Sequence, residues 1–172
     1  MAKKLLYLFF LVPLNLFPHP HTFISPEIQI IVKDTVLEKL KIAWVFDAMT
    51  TVQILEVFDT NKNKKLDPPE VNVIRENIFK NLKSYDYFTF IQLNHKSFDY
   101  LPINFRPYIN AKKRLVYAFE IEIKKNIKDF EVIFKDESIY VAFEMKNENI
   151  TLNESEKFLL TSNENSFQLK KN

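Results

Sequence analysis

The chain has no cysteine among its 172 residues. That excludes disulfides, thiolate zinc sites, iron–sulfur ligation and thiol catalysis. It does not argue against export, because a chain of this length can fold without covalent staples. Glycine is absent as well. Ordinary usage of ~7% would give about 12. A glycine-rich phosphate loop, a dinucleotide fingerprint and a G-x-S-x-G nucleophile elbow are therefore excluded. Turn positions with positive φ must be filled by other residues, and asparagine is the expected one. Charge of one sign is lacking too. The formal net charge is +2, and Lys3 and Lys4 account for it. Without them 22 basic face 22 acidic side chains. No surplus positive field is left to attract nucleic acid.

What is present is a globular composition: 47% hydrophobic and 27% charged residues, in a length that suits one domain with its own core. The start, "MAKKLLYLFFLVPLNLF", has a short basic segment followed by an apolar run from Leu5 to Phe17. A bilayer span needs ~20 apolar residues, so the run is short for one and fits a secretory signal. Residues 1–17 are accordingly expected to be a signal peptide, with an uncleaved anchor as the alternative. Residues 18–172 then form a single exported domain.

"FISPEIQIIV" and "LEKLKIAWVF" read as two strands. In "DAMTTVQILEVF" the period changes, and Ala48, Val52, Leu55 and Val57–Phe58 fall on a helical face. Val71, Ile74, Ile78 and Leu82 repeat the helical spacing in the next segment. The expected result is a helical hairpin over residues 47–84. Strand patterns follow in "YFTFIQLN", "KSFDYLPINF", "RLVYAFEIEI", "FEVIFKD", "IYVAFEM" and "NITLN". The polar segment 153–172 holds either an edge hairpin, "KFLLTS" to "SFQLKK", or loose chain. Short connections favour antiparallel pairing. The expected class is α+β, a mostly antiparallel sandwich-like domain with one inserted helix–loop–helix hairpin. An aromatic content of 15% is expected to fill the core.

The loop of the hairpin is "DTNKNKKLDPPE". Asp59, Asn61, Asn63, Asp67 and Glu70 stand at places 1, 3, 5, 9 and 12, and Lys65 offers its carbonyl at place 7. That is the ligand spacing of an EF-hand calcium loop. Place 6 is Lys64, where the loop takes glycine, and Lys62, Lys64 and Lys65 oppose only three carboxylates. Any calcium site is expected to be weak, with a dissociation constant of ~10⁻⁴–10⁻³ M. A metal-free reading competes with it: Asp67-Pro68-Pro69-Glu70 is a capping box with proline at the first helical position.

The chain has three histidines. His19 and His21 flank Pro20, which holds an extended path on which side chains two apart face the same way. Such a pair can share zinc, nickel or cobalt. The plain alternative is two solvated histidines. A free amine could join the pair as a ligand if cleavage falls just before it; His95, in "LNHKS", reads as an exposed turn residue and is the candidate side chain for a third ligand. No nucleophile–base pair emerges, so an enzyme is not expected.

Five of these landmarks occur in order: "HPHTF", "AWVFD", the twelve-residue loop, "NLKSYDYFTF" and "DESIYVAFEM". From His19 to Met145 the chain resembles an uncharacterised bacterial family of periplasmic proteins. That family is often encoded beside nickel/cobalt-type permeases and includes the periplasmic partner in ZevA-type zinc uptake. The resemblance implies periplasmic metal handling, with an inner-membrane metal permease as partner. Contact with the membrane is then expected only through the signal, an anchor or that partner. The family's H-P-H motif carries over onto His19, Pro20 and His21. Its acidic, glycine-containing loop carries over onto residues 59–70, here with two asparagines and with Lys64 for glycine. Trp44, Phe46 and Asp47 match a motif whose implied role is structural.

Overall fold

The computed structural model describes residues 22–172. The apolar start, His19 and His21 lie outside the described residues. The fold opens on two long strands, β1 (Thr22–Lys33) and β2 (Val36–Phe46), paired antiparallel. Alternate residues of β1 from Ile24 to Val32 are buried, the period-2 signature of a half-buried strand. The apolar run that ends β2 resolves the same way. Trp44 and Phe46 point into the core, while Ala43 and Val45 stay half-buried on the outer face.

The helical hairpin follows as α1 (Ala48–Phe58) and α2 (Pro68–Asn77). The second helix stops at Asn77, because Ile78 departs to φ −114° and the chain continues as a 3₁₀ segment, Phe79–Phe88. The remaining strands are β3 (Thr89–Leu93), β4 (Lys96–Ser97), β5 (Ile103–Ile109), β6 (Leu115–Asn126), β7 (Asp129–Phe134), β8 (Val141–Phe143), β9 (Ile150–Leu152), β10 (Phe158–Ser162) and β11 (Ser166–Lys171). One sheet runs β5-β6-β2-β1-β8, with β9 also on β1. The other runs β10-β11-β7-β3-β4. Pairing is antiparallel except where β8 and β9 each lie parallel to β1. The class is α+β, and the two sheets form a sandwich-like arrangement.

Aromatic rings fill the space between the layers, as their number suggested. Trp44 meets Phe119 edge-on at 5.1 Å, Phe79 stacks on Phe105 at 3.7 Å, and Phe134 stacks on Phe143 at 5.7 Å. The C-terminal segment is the hairpin β10–β11, and Phe158, Phe167 and Leu169 bury it against the core.

Three expectations are corrected. First, "KSFDYLPINF" is not one strand. Its start is β4 in the second sheet and its end is β5 in the first, so the chain crosses between layers over residues 98–102. Second, the buried face of α1 is not the one the apolar spacing selected. Val52 and Val57 are 54% and 68% exposed, while Thr50 and Thr51 are buried. Hydrogen bonds fix the phase of this helix. The Thr51 hydroxyl donates to the Asp47 carbonyl at 2.7 Å and accepts from the Leu115 amide at 3.0 Å. Third, asparagine does not supply most positive-φ positions. Among the described residues only Asn94 and Asn104 do so, whereas four lysines do: Lys62, Lys64, Lys113 and Lys124.

Candidate functional site

The loop between α1 and α2 gathers every oxygen-bearing side chain that the sequence singled out there. Asp59 is buried, and its two carboxylate oxygens accept from the Asn63 amide at 3.1 Å and the Lys64 amide at 2.7 Å. Lys64 takes φ 61° and Lys62 φ 59°, so the chain makes the left-handed turn at place 6 without glycine. Asn61 Oδ1 accepts from the Asn63 amide at 3.0 Å, and Asn63 Oδ1 from the Lys65 amide at 2.8 Å. These are Asx turns, the local alternative that asparagine offers a backbone.

Those bonds decide where the amide nitrogens point. With both oxygens facing N–H donors, Nδ2 of Asn61 and Nδ2 of Asn63 face inward, and each donates to Asp67 Oδ2 at 2.7 Å. Glu70 closes the loop from the other side. Its Oε1 accepts from the amide and hydroxyl of Thr60 at 2.8 and 2.9 Å, and its Oε2 from the Asp67 amide at 2.9 Å. The Asp67–Glu70 capping box is formed, with Pro68 at the first helical position. The Asp67 amide, together with the two donors of Thr60, holds the Glu70 carboxyl below the usual carboxylate range.

Each carboxylate of the loop already accepts at least two bonds from the loop's own donors. A cation at its centre would need both asparagine amides to rotate, breaking two Asx turns and two bonds to Asp67. The residue types fit calcium, but the bonds they make already satisfy the carboxylates. Among the described residues no group of three or more His, Asp or Glu stands together in a way that could hold a metal ion.

The second region of interest is where β1 begins. Asp47 is the N-cap of α1 and also a clamp on β1. Its Oδ1 accepts from the Thr50 amide at 2.9 Å, and its Oδ2 from the Thr50 hydroxyl at 2.7 Å and the Phe23 amide at 2.9 Å. The Asp47 amide donates back to the Phe23 carbonyl at 3.0 Å. Burial pushes this carboxyl up, but the bonds from Phe23 and Thr50 outweigh it and hold the group below its ordinary value. The last residue before the described chain is His21, two positions from Phe23. Beside Thr22 runs the start of β8, at Val141. There Asp136 accepts from the amides of Ser138, Ile139 and Val141. Burial raises this carboxyl too, and the amides again win and lower it. Asp47 and Asp136 are thus both committed to backbone amides.

His95 lies elsewhere. Asn94 and His95 take φ 50° and 63°, the positive values a two-residue type I′ hairpin requires. Asn94 Oδ1 accepts from the Lys128 amide at 2.8 Å, and Asn94 Nδ2 donates to the Asn126 carbonyl. Asn126 pairs with Val36, just past the far end of β1. A 12-residue strand spans roughly 35–40 Å, so the exposed His95 sits about that far from Thr22. The structure does not bring it to the end where the H-P-H motif joins the domain.

The sequence offered a signal for Asp47, an N-cap aspartate just before a helical pattern. Asp136 carries no comparable local signal. Its role as an acceptor for three amides depends on the 138–141 backbone wrapping around it.

Residues 4–165 match the model of a protein family described as a protein of unknown function, DUF1007. No curated protein and no solved structure matches the chain.

Proposed function

The chain belongs to the DUF1007 family, and from that premise we propose that it is a periplasmic metal-binding accessory of a transition-metal uptake system. It holds zinc, nickel or cobalt as cargo and passes it to an inner-membrane permease. The ligands are the neutral imidazoles of His19 and His21. The observation that carries this reading is the position of the pair. The H-P-H motif runs directly into β1, whose first residues Asp47 fixes through two backbone bonds to Phe23. In the sequence the motif is thus followed at once by a fixed strand start. With the neighbouring carboxylates Asp47 and Asp136 occupied, the pair supplies two nitrogens and leaves the remaining positions to solvent or a partner. An incomplete ligand set suits a carrier, since closed four-ligand sites belong to metals that stay.

Titration of the full chain with zinc and with nickel tests this, alongside a His19→Ala, His21→Ala double variant. Wild type is expected to bind and the double variant to lose binding. Affinity should fade as pH falls through the histidine range, because the ligands must be unprotonated. Equal affinity in both proteins ends the assignment.

The closed bonding of residues 59–70 favours a second reading, in which the hairpin is a structural joint for partner contact with no transition-metal role. Calcium then occupies the loop weakly or not at all. Calorimetry with millimolar calcium decides which form this joint takes: heat and a raised melting temperature indicate a calcium site, and silence leaves the capped joint, while the histidine titration above decides between the two readings.

A further inference from the structure

We propose that the end of the sandwich at which β1 begins is a membrane-contact surface that docks on an anionic lipid bilayer. Hydrogen bonds place its parts side by side. The Asp47–Phe23 clamp joins the start of β1 to the first turn of α1. The Leu115 amide, donating to Thr51, joins that same turn to the β5–β6 connection. On this end Phe23, Met49 and Val52 are 46%, 55% and 54% exposed. Large apolar side chains at that exposure, clustered around one helix start, fit the headgroup boundary better than bulk water.

The β5–β6 connection supplies the charge. Lys112, Lys113 and Arg114 are consecutive, and the turn is built to present them. Asn110 Oδ1 accepts from the amides of Lys112 and Arg114 at 3.0 Å each, and Lys113 takes φ 57°. Among the described residues none of the three stands in an ion pair. The acidic side chains of this end, Asp136 and Glu144, belong to the β8 edge, and the sheet order β5-β6-β2-β1-β8 sets that edge across from the β5–β6 turn. Asp47 keeps its charge with both oxygens turned to Thr50 and Phe23, and Glu137 pairs with Lys135 at 2.9 Å. A basic cluster next to exposed apolar side chains is complementary to an anionic bilayer, on both its charged surface and its apolar interior. The described chain also begins here, at Thr22, with 21 residues before it that include the apolar run Leu5–Phe17.

The absence of cysteine makes the test direct. Met49→Cys and Lys96→Cys each give one thiol, at this end and at the opposite hairpin, for a polarity-sensitive dye. The full-length protein is mixed with vesicles of phosphatidylcholine alone or with about one third phosphatidylglycerol. The dye at Met49 should shift to the blue with anionic vesicles and the dye at Lys96 should not. Each basic residue near an anionic surface contributes about fivefold, so a Lys112→Gln, Lys113→Gln, Arg114→Gln variant should partition on the order of 100-fold more weakly. Circular dichroism melts confirm that the variants fold. The proposal is overturned by equal shifts at both ends, by no shift on protein-free vesicles, or by a triple variant that partitions like wild type. The last outcome would assign all lipid binding to the apolar start of the chain.

Discussion

Removing the Asp47 carboxylate should destabilise the whole protein, because one side chain there does two jobs. It caps α1 through Thr50, and it holds the Phe23 amide at 2.9 Å. Loss of an N-cap costs ~1 kcal/mol. The orphaned Phe23 amide costs about 1 kcal/mol more, the low end for an unsatisfied donor, since Asp47 is only half-buried. Asp47→Ala should therefore lose about 2 kcal/mol, a fall in Tm of roughly 4–8 °C for a chain of this length. Asp47→Asn keeps a capping oxygen and should lose about half as much. Trp44 reports the transition. It is the single tryptophan and is buried against Phe119 and Phe88, so unfolding in urea should move its emission to the red. The pH dependence has a definite sign. The folded pKa of Asp47 lies below its unfolded value. Its stabilisation is therefore complete above about pH 4–5 and is lost as pH falls through the folded pKa. The gap between wild type and Asp47→Ala should narrow on acidification. A variant within about 0.5 kcal/mol of wild type at neutral pH, or a gap that widens in acid, would refute the clamp.

Other substitutions probe different parts of the fold. Lys64→Gly replaces a side chain at φ 61°; relief of the left-handed strain, offset by the freer unfolded chain, should raise stability by up to about 1 kcal/mol in urea melts. The same variant should bind calcium no more weakly than wild type by calorimetry. Phe119→Ala removes a buried ring that touches both Trp44 and Phe79; a loss of about 3–5 kcal/mol and a shifted Trp44 emission in the folded state are expected. Lys39→Ala breaks the 2.8 Å pair with Glu120 on the outer face of the first sheet; the cost should stay under about 1 kcal/mol and shrink with added salt in thermal melts.

The strands were readable because burial imposes a period of two, and β1 and β6 keep that period along most of their length. The helical hairpin was readable from its helical spacing and from the Asp67–Glu70 capping box, which the second helix forms. Two features were not. The division of "KSFDYLPINF" between sheets depends on which neighbour each half pairs with: Gln92 for Ser97 and Glu120 for Ile103. No local pattern encodes that choice. The phase of α1 depends on the Leu115 amide finding Thr51, a contact across 64 positions of chain. That bond satisfies a buried donor, which outweighs the gain from burying Val52. For the site, residue types and spacing singled out Asp59, Asn61, Asn63, Asp67 and Glu70, and hydrogen bonds link these residues within the loop. Whether they face a cation or one another is set by amide orientation, which spacing does not contain.

The misplaced expectation about asparagine has a physical cause. Left-handed backbone is costly because Cβ crowds the following carbonyl, and every residue except glycine carries that Cβ. Beyond Cβ, only a short polar side chain that bonds its own backbone gains anything, so the advantage of asparagine is small next to the cost all of them share. Strand pairing and turn length fix where positive φ must occur, and in a chain without glycine whichever residue stands at that place bears it, the buried Tyr87 and Phe88 included. Lysine does so at Lys62, Lys64, Lys113 and Lys124, all four exposed, where its long stem stays in solvent and adds no further clash. At ~1–2 kcal/mol each, these turns weigh heavily against a total stability of about 5–15 kcal/mol. They persist because the paired strands and the closed loop on either side of them over-determine the backbone.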